Sequence, residues 1–377
     1  MLKSYYVYFL LIFLMTILGK FAWKLDMLND TSKRVRVRWD LIFLILIFSV
    51  FCGIRYDVGV DYLTYLAYYE ELRVGRLTYE PFEYIFHQIN YGLSYLNLHF
   101  FWYFFTIAYL QMFFLILGLK NEKYLFQYMF FVFIAGGFYF TYMNELRQSL
   151  VISIFVFSIK YINEKKMLKY LLLIIIAFFI HRSAVILLPM YFFFRNNKDY
   201  FRNRKIQIVL LFVVLIISAT QFLKYLVGLF EFVTGLIGMK NWNDLDEKLS
   251  FFQKNFTKGI RFYVPFFTSL IIILYSKKLK DYFSSSKFII FYNLFFLGAL
   301  FFILSFDNIA LQRPARYFTF YQVIMTSFLL FYLGNAKRNR KINLLLFILI
   351  ITMNIVVLHA FIESDHHTQF KFYWDIN

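Results

Sequence analysis

Residues 168–195 read LKYLLLIIIAFFIHRSAVILLPMYFFFR. Two apolar arms, 168–181 and 183–195, meet at His181-Arg182, and basic clusters flank both, Lys160 to Lys169 before and Arg195 to Lys205 after. Lys and Arg concentrate in the cytoplasmic loops of membrane proteins, so both ends lie on one side and the chain enters and returns between them. Each arm is roughly 20 Å of helix against a hydrocarbon core of about 30 Å. The tip is therefore expected beneath the outer surface, where an ionisable pair needs a reason.

Worked outward from this hairpin, the pattern repeats. Apolar segments fall at 4–22, 40–54, 99–118, 125–141, 147–163, 168–181, 183–195, 206–222, 262–276, 288–305, 316–334 and 342–361. Basic clusters at Lys33 to Arg38, Lys120 to Lys123, Lys277 to Lys287 and Lys337 to Lys341 alternate with every remaining loop. With these clusters inside, the cytoplasmic loops hold 24 Lys and Arg against 7 Asp and Glu, while the outer loops and termini hold 15 of each. Nearly all of the +18 net charge thus reports orientation, which leaves no case for a nucleic-acid partner. Residues 82–97 carry an apolar stripe (Phe82, Ile85, Phe86, Ile89, Leu93) opposite Glu83, His87, Gln88 and Asn90. A span there would invert the charge rule downstream, so a helix lying flat at the outer interface is expected. The reading is an all-α polytopic membrane protein of about 12 segments, a single domain over 1–377, with residues 4–22 a retained first span. Both termini and a large loop at 223–261 lie outside.

Composition agrees. Of 377 residues 61% are hydrophobic, 24% aromatic and 16% charged, and the mean hydropathy is +0.61, values foreign to a soluble domain. The lone Cys52 excludes an intramolecular disulfide and a CxxC metal site. Neither GxxxxGK[ST] nor GxGxxG occurs, which argues against an ATP-driven pump and for energy arriving in the substrate.

Ionisable residues gather at the outward ends of the spans in four clusters. These are Arg55 to Tyr62 with Asp57 and Asp61, which share a face if helical; Asn144 to Gln148, with Asn144, Arg147 and Gln148 on one face; His181-Arg182-Ser183; and Arg313-Pro314-Ala315-Arg316-Tyr317. Interfacial anchoring explains any one of them, and Asn144 suits a helix cap. Five arginines on the face that the charge rule leaves poor in them suggest more. Their forked donors suit a diphosphate or carboxylate near the membrane surface. Asp57 and Asp61, with Glu83 and His87, offer a metal site as the alternative, which the neighbouring Arg55 opposes. His366-His367 reads as a solvated tail.

These residues resemble the Wzy/EpsG-type family of bacterial polysaccharide polymerases. R-x-x-x-G-x-D-x-x-x-Y is matched by Arg55, Gly59, Asp61 and Tyr65, and N-x-x-R-Q by Asn144, Arg147 and Gln148. H-x-S-A…P-x-Y is matched by His181, Ser183, Ala184, Pro189 and Tyr191, and a late R-Y-F by Arg316, Tyr317 and Phe318. The resemblance implies a GT-C-like helical bundle in the bacterial cytoplasmic membrane. It also implies a glycosyltransferase joining polyprenyl-diphosphate-linked oligosaccharide repeat units at the outer face, with no cofactor and with a chain-length regulator protein as a further partner. A diphosphate leaves as a stabilised anion, so cations matter more than an acid. Arg55, Arg147, Arg182 and Arg316 are expected in that role, and Asp61 or His181 as base. Asp57, Asn144, Gln148, Arg313 and Tyr317 are expected to support them, and no metal is expected. Trp242, Phe251, Phe252 and Tyr263 could stack on a sugar chain. A lipid-oligosaccharide flippase is the alternative from another class, disfavoured by bare mid-membrane positions. A ligase or membrane acyltransferase on the same glycan remains open.

Overall fold

The computed structural model describes residues 1–29, 38–76, 83–219 and 258–375. Among them regular structure is helical, and extended pairing is confined to one bridge, Arg55 with Phe372. Long apolar sequence with only four prolines favours this, since helices satisfy their own backbone where water is excluded. Six helices of the described residues are long and apolar enough to cross a membrane, and up to seven if one bent pair counts as a span. The chain divides into two compact units, Met1–Asn197 with Thr326–Asn377, and Lys198–Met325.

In the first unit α1 (Leu2–Asn29) packs on α2 (Trp39–Gly53) and on α6 (Phe126–Ala135), and α5 (Phe100–Gly118) lies between α2 and α8 (Leu146–Asn163). α3 (Tyr62–Arg73) pairs with α4 (Tyr84–Tyr95), and α4 meets α9 (Met167–Ile180). α16 (Arg340–Ser364) packs on α6.

Two expected spans are interrupted. Segment 125–141 bends by 68° between α6 and α7 (Phe138–Asn144). Gly137 sits there at φ 87°, in the left-handed region, with the Phe361 ring against the place a Cβ would take. The second hairpin arm, 183–195, is not one helix. His181 is extended (φ −155°, ψ 120°), Arg182–Leu187 form a 3-10 stretch, and α10 (Met190–Phe194) begins only after Pro189, which lacks the N–H to continue the turn.

The second unit contains α11 (Arg204–Ala219), α12 (Ile260–Tyr282), α13 (Ser286–Ser305), α14 (Ile309–Thr319) and the start of α15 (Tyr321–Asn335). Ser285 caps α13 by accepting from Phe288 N–H at 3.2 Å, and Asn308 caps α14 by accepting from Leu311 N–H at 3.0 Å. Lys280 donates to both Asp199 carboxylate oxygens at 2.9 Å, and Tyr292 donates to Gln207 at 2.5 Å.

Most of loop 223–261, with Trp242, Phe251 and Phe252, lies outside the described residues, as do Lys33 to Val37 and Phe82. His366 is exposed and His367 half-buried, as a solvated tail requires, but the residues that follow are docked. Thr368 and Phe370 are buried, Tyr8 donates to the Thr368 carbonyl at 2.5 Å, and Phe370 N–H donates to Ser4 at 2.9 Å.

Candidate functional site

One corner of the first unit gathers charge from three helices. Glu83 immediately precedes α4, α8 carries Arg147 in its first turn, and His181 immediately follows α9. The Glu83 carboxylate, only 12% exposed, reaches both partners. Oε2 is ion-paired with Arg147 Nη1, and Oε1 lies 2.8 Å from His181 Nδ1. A carboxylate paired with arginine accepts only, so His181 donates from Nδ1, and in the neutral tautomer this sets, the lone pair is on Nε2. Arg147 remains 34% exposed, with Phe86 and Tyr65 at 5.6 and 5.8 Å beneath its guanidinium. Buried Gln148 follows Arg147, and half-buried Arg182 follows His181.

The Arg55–Asp61 segment is a loop. Asp57 takes φ 51° and Gly59 φ 105°, so Asp57 and Asp61 do not share a helical face. Gly59 is required twice, because a Cβ would also stand 3.2 Å from the Met143 carbonyl. Asp61 precedes α3, and its N–H donates to Asn144 Oδ1 at 2.8 Å. Asn144 therefore ends α7 and holds the loop instead of capping α8. Glu145 (φ −103°, ψ 66°) separates it from Arg147, so the expected common face of Asn144, Arg147 and Gln148 is broken. The Asp61 carboxylate is half-buried and forms no ion pair among the described residues.

Arg55 is fully buried. It donates to the Cys52 carbonyl at 3.2 Å and to the Val58 carbonyl, and its guanidinium lies 5.0 Å from both the Tyr62 and Phe104 rings. Its Nη2 has no hydrogen-bond partner among the described residues. The tail closes over this loop. Gly59 N–H donates to the His367 carbonyl at 2.7 Å, Tyr56 N–H to Lys371 at 2.8 Å, and Tyr373 N–H to Ile54 at 3.0 Å. Lys371 pairs with Asp57 at 2.8 Å, and Lys3 with Asp375.

A family model for the EpsG family matches residues 38–374. The chain belongs to the EpsG family. No curated protein and no solved structure matches it. This EpsG-family chain is therefore a multi-pass membrane protein of polysaccharide biosynthesis, and the match covers all four arginine clusters.

Its expected site residues fall into three places. Arg147, His181 and Arg182 stand at the Glu83 corner, and Asp61 and Asn144 are joined beside Gly59. Arg55 is enclosed and Asp57 faces Lys371. Arg316, Arg313 and Tyr317 belong to α14 of the second unit, where Arg313 is exposed, Tyr317 is buried and Arg316 approaches Gln312 at 3.5 Å. Of the metal alternative, Glu83 serves Arg147 and His181 while His87 Nδ1 meets the Tyr68 hydroxyl at 2.7 Å. Among the described residues no three His, Cys, Asp or Glu side chains converge as a metal site. Glu83 is the residue the sequence reading did not place at the site. Its signal was a carboxylate at the start of an amphipathic helix, which equally fits a solvated face.

Proposed function

We propose that this chain is a polysaccharide polymerase, a glycosyltransferase that joins oligosaccharide repeat units carried on polyprenyl diphosphate and releases polyprenyl diphosphate. Its site faces the outside of the bacterial cytoplasmic membrane, and its twelve apolar segments cross or enter the bilayer in a GT-C-like bundle. The observation that carries the reading is the carboxylate of Glu83 shared by Arg147 and His181. It sets a partly exposed guanidinium next to an imidazole whose Nε2 is a base.

The step needs these two groups. The acceptor hydroxyl gives its proton to His181 Nε2 as its oxygen bonds to the anomeric carbon. The bond from that carbon to the diphosphate oxygen breaks, and the electron pair leaves with the diphosphate, whose charge Arg147 meets in a bidentate grip. Arg182, next to His181, adds a further cation. Gln148 steadies the first turn of α8, and Asn144 fixes the entry to α3. Arg55 shapes the loop from within. A second base, Asp61, is favoured by one observation: its carboxylate is partly open and unpaired among the described residues while its backbone is held.

The test is incubation of purified full-length protein with a lipid-diphosphate-linked repeat unit. The expected product is a ladder of lengthening glycans with free polyprenyl diphosphate. Movement of the lipid between vesicle leaflets without any ladder would make the chain a flippase. Transfer only to a different acceptor would make it a ligase, and acylation of the glycan an acyltransferase.

A further inference from the structure

Glu83 stands where a substrate anion would have to stand. Its two oxygens are divided between a cation suited to diphosphate and the proton-bearing nitrogen of the proposed base. The pair lies at the edge of the unit, since Arg147 is 34% and His181 22% exposed, while Glu83 itself is 12% exposed. The rings of Tyr65 and Phe86 lie 5.8 and 5.6 Å from the guanidinium carbon and help to fix its place. Glu83 Oε2 holds Nη1, so a diphosphate gripping the Nη1/Nη2 edge competes with the carboxylate for that donor.

From this geometry we infer that Glu83 is a positioning residue with two consecutive duties, a claim that rests on the polymerase reading. Before substrate arrives it occupies Arg147, keeping the guanidinium aimed and its charge compensated. When the diphosphate takes the fork, Glu83 retains His181 alone, fixing the imidazole with Nε2 toward the acceptor and balancing the imidazolium as the hydroxyl proton arrives. No covalent bond to Glu83 forms or breaks. The competition weakens binding of the diphosphate, and the hold on His181 speeds the chemical step. Removing the negative charge therefore moves the two quantities in opposite senses, which loss of a merely structural contact would not do.

The experiment compares wild type and Glu83→Gln as full-length proteins in nanodiscs. Binding is read with sugar-free polyprenyl diphosphate, and KM and kcat with the lipid-linked repeat unit. Expected are several-fold tighter binding of polyprenyl diphosphate and a fall in kcat of about 10²-fold, the scale of a disoriented general base. Arg147→Ala should weaken binding of the same probe, and in the Arg147→Ala background Glu83→Gln should no longer tighten it. If Glu83→Gln does not accumulate, Glu83→Met, which also removes the charge at similar length, gives the same readout. Unchanged or weaker binding with reduced kcat would overturn the inference and leave Glu83 a structural contact. Unchanged kcat would overturn it equally. A wild type that makes no ladder refutes the polymerase reading instead. A wild-type ladder without the split refutes only the role of Glu83.

Discussion

Arg55 and Arg147 look alike in sequence, each an arginine at the outward end of an apolar segment, yet they occupy opposite environments. Arg147 meets a carboxylate, keeps a third of its side chain exposed and lies on two rings. Arg55 meets only carbonyls and rings and is closed to solvent. An arginine balanced by a side-chain anion can exchange that anion for another. One spent on main-chain carbonyls cannot, because leaving them orphans buried acceptors. The first arrangement suits the anion binding proposed for Arg147, and the second suits architecture.

Substitutions separate the two. Arg55→Ala should be the most damaging to the protein itself, removing buried donors from Cys52 and Val58 at a cost of about 3 kcal/mol. Membrane accumulation and detergent-resistant folding, read with a fluorescent fusion, should drop sharply. Normal accumulation with lost lipid binding would place Arg55 with Arg147 and erase the contrast. Arg147→Lys keeps charge and loses the fork, so turnover should fall about 10²-fold while the protein accumulates normally. An unchanged glycan ladder would reduce Arg147 to an anchor.

A smaller effect sharpens the account of the Arg55 loop. Gly59→Ala should cost about 1–2 kcal/mol, since φ 105° is strained for alanine and the Met143 carbonyl crowds its Cβ. A shift in thermal unfolding measures it. The smallest concerns the tail. Lys3, and after it the Phe372 N–H, hold the Asp375 carboxyl below the usual carboxylate range. A depressed folded value stabilises the docked tail above the unfolded pKa, and the gain disappears as pH falls through the folded one. Acidification below the ordinary carboxylate range should therefore speed labelling of a cysteine at Phe370, and Lys3→Met should remove that dependence.

How much of this was legible follows from how far apart the partners lie. The helical class and the break at His181 came from local pattern: apolar runs, basic clusters and a polar tip. Glu83 was visible as one side of an amphipathic helix and as a ligand in the metal alternative, but not as the partner of Arg147 and His181, which lie 64 and 98 residues away. The enclosure of Arg55 depends on rings and carbonyls whose approach no local periodicity encodes. Asp57 and Asp61 misled because i,i+4 spacing implies a shared face only in a helix, and Gly59 takes the chain out of one. The bend at Gly137 was hidden inside an unbroken apolar run.

The clasp between Gly59 and His367 joins residues synthesised 308 positions apart. At about 5–20 residues per second, the loop waits roughly 15 to 60 s on the ribosome before the strand that secures it exists. During that interval the early helices can already be threaded into the bilayer amid lipid-linked sugars, with the Arg55 loop unlatched. Latching of the Arg55 loop therefore follows synthesis of the distal segment, and a prematurely terminated chain would lack the clasp.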